Sequence, residues 1–282
     1  MALLPYTLIE PAALSPLVVD SPHSGRIYPI DFSYACPLPL LRQAEDAYVD
    51  EVVAGAAEAG ATVIMAEFPR SMIDVNRAES DIDPQGIDGI WPETLSPDDM
   101  TLAGFGLVRR LCRNGIALYR APLTVAEIQR RIDIYYRPYH TCIQMQIDRR
   151  LKKFGTCHLL NAHSMPDRLD NGQQRADFIL GDRDGTSCDP AFTLRAQKIL
   201  QDMGYSVTLN DPYKGREIVK RYGLQGQGAQ ALQIEINRKL YMDETAIEKH
   251  SGFNHLRDNM TLFFRALSAA TLTDLGDRLA AE

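Results

Sequence analysis

The chain has 282 residues, 45 % hydrophobic and 24 % charged, a composition that excludes disorder as the main state and is long enough to bury a core. Its formal net charge is -7 and its pI about 5.4, a poor electrostatic match for a polyphosphate, which argues against nucleic-acid binding. Five cysteines without C-x-x-C spacing suit neither a disulfide framework nor a zinc ribbon. With no basic leader at the N-terminus and no apolar run of membrane-spanning length, they predict a cytoplasmic protein.

Leu17–Asp20 reads as a buried strand closed by the turn-rich Ser21-Pro22-His23-Ser24-Gly25. From 39 to 59 the residues Leu41, Ala44, Tyr48, Val52 and Ala56 keep helical spacing, and Gly60 offers a C-terminal cap. Thr62, Val63 and Ile64 place a second strand over 61–68, and 70–77 reads as a short strand or strand edge. Residues 78–103, dominated by Asp, Pro and Gly, have no period and predict a long ordered loop, of the kind used as a lid or binding loop. Residues 124–154 read as helical with an interruption near Arg137-Pro138, because proline removes a backbone donor. The basic run Arg149-Arg150-Leu151-Lys152-Lys153 would complement the negative end of that helix. Strands follow at 157–161 and 177–180, then a helix at 189–203 stopped by Gly204, strands at 205–209 and 231–236, and a closing helix at 244–269. Strands separated by helices predict an α/β fold: one domain over 1–282, with a mostly parallel mixed sheet flanked by helices.

In open α/β sheets, sites form beyond the carboxyl ends of strands. The first strand runs into His23, the strand at 157–161 into His163, and Glu235 stands near the end of the last strand. A lone histidine in a turn is ordinarily a satisfied polar residue. Here two occur in one setting, each directly after an apolar strand and before a serine. The pair points to a divalent metal, zinc first, held by neutral imidazoles and a carboxylate with a position left for water. His140, His158, His250 and His255 lack that setting.

Asp46 and Asp50 fall at i and i+4 on one face of the predicted first helix. The bland alternative is a solvated face, but half-buried like charges call for a cation. Asp46 is assigned as the metal ligand, and Asp50 as its outer partner or the alternative ligand. Glu235 is the candidate general base. Arg70, Asn76 and Arg77 could form a forked carboxylate site, the alternative being an Arg77–Asp74 surface pair. Lys214, in a polar loop at 210–215, is a further substrate donor. The segment 181–185 lacks the full calcium-loop pattern and reads as a turn.

Taken in order, SPHSG at 21–25, DAYVD at 46–50, RSMIDVNR at 70–77, NAHSMP at 161–166, GDRDGTSCDP at 181–190, NDPYKG at 210–215 and QIEINRKLYMDE at 233–244 resemble the N-formylglutamate amidohydrolase (deformylase) family. The resemblance covers nearly the whole chain. It implies a fold similar to zinc carboxypeptidase-like and phosphorylase/hydrolase-like proteins. It also implies zinc-dependent cleavage of N-formyl-L-glutamate, or another short N-acyl amino acid, here to formate and L-glutamate at the end of a histidine-degradation route. Two departures stand out. Ala162 precedes His163 where an acidic or cysteine residue is expected, and Arg26, three residues after His23, removes the H-x-x-E ligand pair. Asp46 therefore fills the carboxylate position. Two other readings compete: a serine hydrolase using Ser24 or Ser164, which lacks the G-x-S-x-G elbow, and a non-catalytic metal- or dicarboxylate-binding protein, which leaves Glu235 without a task.

Overall fold

The computed structural model describes residues 4–112, 115–169, 171–223 and 225–281; Met1–Leu3, on which part of the N-terminal reading rests, lie outside them. The strands are β1 (Tyr6–Ile9), β2 (Leu17–Ser21), β3 (Thr62–Ala66), β4 (Ile87–Asp88), β5 (Leu123–Thr124), β6 (Cys157–Met165), β7 (Phe178–Gly181), β8 (Val207–Leu209), β9 (Ala229–Asn237), β10 (Met242–Asp243) and β11 (Glu248–Lys249). The α-helices are α1 (Leu38–Arg42), α2 (Val49–Val53), α3 (Val125–Arg131), α4 (Arg137–Phe154), α5 (Pro190–Asp202), α6 (Glu217–Tyr222) and α7 (Gly252–Ala281). Contacts divide the chain into two units that alternate along the sequence. One comprises Met1–Thr7, Pro22–Ala47 and Met65–Cys142; the other comprises Leu8–Ser21, Tyr48–Ile64 and Ile143–Glu282.

The second unit carries the sheet, in the order β1-β3-β2-β6-β9-β7-β8, with β1 and β3 running across the division. The β2–β6, β6–β9 and β7–β8 pairs are parallel and β7–β9 is antiparallel. The result is the α/β fold with a mixed, mostly parallel sheet that the alternation of strands and helices implies. Helix α6 packs on β9, and α7 packs on α2, α5 and the 3-10 turn at 54–59. Every residue of β2, β6 and β7 is buried, as strands covered on both faces require.

Arg150 is not an exposed complement to a helix dipole. Its side chain is fully buried, and the guanidinium donates to the Leu17 carbonyl at 3.1 Å, Gln146 Oε1 at 2.6 Å and Thr62 Oγ1 at 2.6 Å. A buried charge must be met by such a set of acceptors. This one ties β2 and β3 to α4 and fixes the strand that leads into His23. Lys152 and Lys153 do occupy the last turn of α4.

The first unit is built from turns and short helices. The segment 69–77 is not a strand; it is a succession of tight turns, with Met72 N–H bonded to the Pro69 carbonyl and Arg77 N–H to that of Asp74. The long loop is ordered by backbone bonds, Asp74 N–H to the Leu107 carbonyl and Leu107 N–H to that of Asp81, both 2.7 Å. β4, which lies in the loop, pairs with β5 beyond it.

Three further expectations give way. The helix predicted over 39–59 is interrupted between α1 and α2, because Tyr48 adopts a left-handed backbone (φ 66°) and Asp46 N–H turns back to the His23 carbonyl at 2.9 Å. A left-handed non-glycine residue costs about 1–2 kcal/mol. Tyr48 is held there by its hydroxyl on the Ile247 carbonyl at 2.9 Å and its ring edge-on to Phe253. Gly60 is the left-handed cap the sequence suggests (φ 86°). The closing helix begins only at Gly252, after the β10–β11 hairpin. The interruption near Pro138 is a π-helical segment at 132–136, not a break.

Candidate metal centre and active site

In the first unit, β2 has just ended when the chain reaches His23. Gly25 is required there by close approach: a Cβ at this position would lie 2.1 Å from the Phe68 carbonyl oxygen. Main chain therefore packs directly on main chain, and His23 is held from below. Its imidazole is 1 % exposed. Nε2 is 2.6 Å from Asp74 Oδ1, and Nδ1 is 3.3 Å from Asp46 Oδ2.

Asp74 is fully buried. Its Oδ1 also accepts the Asn76 N–H at 3.0 Å, and its Oδ2 takes two bonds from Arg70, at 3.2 and 2.8 Å. Burial alone would raise its pKa; the charge of Arg70, the hydrogen bond with His23 and the charge of Arg109 outweigh that and hold the carboxyl well below the usual carboxylate range. An ionised carboxylate only accepts hydrogen bonds, so His23 Nε2 carries the proton and, in the neutral ring, Nδ1 carries the lone pair.

The second unit carries the other predicted histidine and Glu235. Side chains alternate along β6, placing Asn161 and His163 on one face, with Gln233 and Glu235 opposite them on β9. Asn161 Nδ2 donates to both oxygens of Asp20 at 3.1 Å, which points its Oδ1 at His163 Nε2, 2.7 Å away. Here too Nε2 is the donor. Glu235 is 8 % exposed, lies in an interior strand and accepts from Gln233 Nε2 at 3.0 Å. His163 and Glu235 both lie within their strands, not beyond them, because β6 and β9 extend further than their apolar runs.

Among the described residues, the buried His23, Asp46 and His163 form a group able to hold a metal ion. Asp50 lies in the first turn of α2 and does not share a helix with Asp46. The helix-face argument for the two acids is therefore replaced: Asp46 is placed by the turn, through its backbone bond to His23. The Arg77–Asp74 surface pair is absent, since Arg77 reaches Asp98 at 3.3 Å while Asp74 serves His23. Asn76 and Arg77 are buried, whereas Lys214 is 58 % exposed and paired with Asp184 at 2.8 Å. Ser164, on the opposite face of β6 from His163, accepts from Arg238 Nε at 3.0 Å.

Three residues that orient the two imidazoles escape the sequence reading: Asp74 behind His23, and Asn161 and Asp20 behind His163. Asp74 and Asn161 lie inside motifs already singled out, and alternation along the strand would have paired Asn161 with His163.

Two buried imidazoles on an α/β frame, one in the turn after β2 and one within β6, each oriented by a hydrogen-bonding partner on one nitrogen, form a framework suited to a hydrolase. The comparisons with known proteins identify an amidohydrolase family. A family model described as N-formylglutamate amidohydrolase matches residues 15–242, and the chain belongs to that family. It is 30 % identical to N-formylglutamate deformylase of Pseudomonas putida over 240 residues, covering 82 % of this chain and 83 % of the relative. The Pseudomonas aeruginosa deformylase is likewise 30 % identical, covering 82 % and 84 %. The crystal structure of N-formylglutamate amidohydrolase from Ralstonia eutropha JMP134 superposes with a TM-score of 0.93 at 39 % identity, over 96 % of this chain and 100 % of that one. A gene product of Agrobacterium tumefaciens shares the fold at 17 % identity, with a TM-score of 0.67 over 97 % and 96 %.

Proposed function

We propose that the protein is a metal-dependent amidohydrolase that cleaves N-formyl-L-glutamate to formate and L-glutamate, with zinc as the first choice of metal. His23, Asp46 and His163 would hold the ion. The observation that carries the metal assignment is the 3.3 Å between His23 Nδ1 and Asp46 Oδ2. Two ligands bonded at 2.0–2.1 Å to a tetrahedral zinc stand about 3.3 Å apart. The proton-bearing nitrogens of both rings are already engaged, by Asp74 and Asn161, an arrangement that orients metal-ligating histidines and raises their basicity. Such an ion supplies, when bound, Lewis-acid polarisation of the scissile carbonyl and acidification of the attacking water.

Glu235 takes the proton of that water at its carboxylate and returns it to the departing amine nitrogen as the C–N bond breaks. Gln233 holds one Glu235 oxygen and so fixes the carboxylate's orientation. Asn76 and Arg77, with Arg70 behind Asp74 and Lys214 on its exposed loop, are the sequence-derived donors for the substrate's carboxylates. A serine mechanism is less well supported, because Ser164 faces away from His163 and is occupied by Arg238.

The test is formate and glutamate release from N-formyl-L-glutamate by the purified protein and by Glu235→Gln. The variant should lose roughly 10²–10⁴-fold in kcat and keep its metal. Near-normal turnover would remove Glu235 from the mechanism, and absence of formate with the unaltered protein would remove the substrate.

A further inference from the structure

Three guanidiniums, those of Arg70, Arg77 and Arg109, gather in the first unit, and their commitments differ. Arg70 is engaged twice by Asp74 Oδ2, and Arg77 reaches Asp98. Arg109 is 13 % exposed, yet its nearest acid oxygen is Asp74 Oδ2 at 3.8 Å, beyond hydrogen-bond range and already shared with Arg70. Among the described residues, its buried Nε has no hydrogen-bond partner. The Phe105 ring, 5.6 Å from its Cζ, covers one face of the guanidinium. Burial lowers its proton affinity, and Arg70 and Arg77 push in the same direction against the pull of Asp74 and Asp46. A buried cation among cations, with an unused donor, is a costly arrangement unless an anion completes it.

Room for that anion exists. Arg109 lines a cavity of about 220 Å³ whose wall also includes Asp83, Arg110, Tyr119 and the apolar Val108 and Leu111. Arg109 therefore borders open space as well as packed core. Asp83, the acid in that wall, is already bound to Arg110 Nε at 2.8 Å. The position is held by the loop: Asp74 N–H bonds the Leu107 carbonyl, and Arg110 N–H bonds that of Gly104.

We propose that Arg109 receives a carboxylate of the substrate and is the residue that sets the preference for an acidic amino acid. For the identity of the substrate this rests on the deformylase reading; for the binding of a carboxylate it does not. A planar fork with an unused Nε–H suits two-point capture of a carboxylate, which a lysine ammonium cannot reproduce. Arg70 then serves mainly to hold Asp74, and through it His23.

The test uses the full chain as purified, with Arg109→Met and Arg109→Lys. Calorimetric titration with glutarate measures carboxylate binding without turnover. The expected result is a loss of roughly 10–100-fold in glutarate affinity for Arg109→Met, with metal content and melting temperature held. On N-formyl-L-glutamate, kcat/KM should fall by a similar factor, and the rate on one of the two monoamide analogues should not, so that the preference for charge collapses. If Arg109→Met does not fold, Arg109→Lys carries the test: it should fold and still lose glutarate affinity severalfold. Unchanged glutarate affinity and unchanged preference in a folded variant would overturn the role of Arg109 while leaving the deformylase reading intact. Glutarate binding that depends on Arg109, without formate release by the unaltered protein, would overturn the deformylase reading and leave this one standing.

Discussion

Replacing Asp74 by asparagine keeps the shape of the side chain and removes its charge, and the geometry leaves the amide no good orientation. Asp74 Oδ1 faces two donors, His23 Nε2 and the Asn76 N–H, while Oδ2 faces Arg70. With the amide oxygen toward His23, the NH2 group opposes the Arg70 guanidinium, donor against donor. In the flipped orientation the NH2 faces Nε2 and drives the ring proton to Nδ1, the atom assigned to the metal. Loss of a supporting carboxylate of this kind costs ~10–100-fold in metal affinity, about 1.4–2.8 kcal/mol. Breaking a buried charge pair costs a further ~3–5 kcal/mol of fold stability. Competition with a chromophoric chelator would measure the first, and thermal melting of the metal-free protein the second. An Asp74→Asn protein that binds zinc as tightly as the unaltered chain would refute the coupling of Asp74 to the metal through His23.

Two further outcomes follow from the same structure. Gly25→Ala places a methyl against the Glu67–Phe68 main chain, which cannot rotate away; about 3 kcal/mol or more of destabilisation is expected, read as a fall of roughly 6 °C or more in Tm, and an unchanged Tm would contradict the close approach. Asp177 is held below the ordinary carboxylate range: burial would raise it, but Ser206, through hydroxyl and N–H, and Lys239 lower it. Its contribution is therefore complete above the unfolded value near 3.9 and is lost as pH falls through the lower folded value. Asp177→Asn should flatten the acid limb of the stability profile below about pH 4, and identical acid limbs for the two proteins would show that Asp177 does not contribute.

Much of the site was legible because it is written in local terms. His23 and His163 each follow an apolar run, Gly60 stops a helical turn, and Glu235 sits in a long buried strand. What escaped is what depends on distant partners. The spacing of Leu41, Ala44, Tyr48 and Val52 is helical, yet the bond from Asp46 to His23 and the left-handed Tyr48 break the helix between α1 and α2. No local period encodes a contact to a residue 23 positions earlier. Strand β6 runs on past its apolar run because Asn161 and His163 are buried polar residues satisfied by Asp20 and by each other. In sequence alone they end the strand. Arg109 and Arg150 look like any surface arginines, because burial of a charge is decided by the acceptors the fold brings to it. For Arg150 these come from β2, from β3 and from its own helix.

The most direct test of the metal assignment is formate release from N-formyl-L-glutamate before chelator treatment, after it, and after zinc is returned, with bound metal quantified at each stage. The expected result is close to one zinc per chain, activity lost with the metal and restored with it, and neither metal nor activity in His163→Ala. Full activity in chelator-treated protein shown to be metal-free would contradict the metal-dependent mechanism, whatever the fate of the substrate assignment.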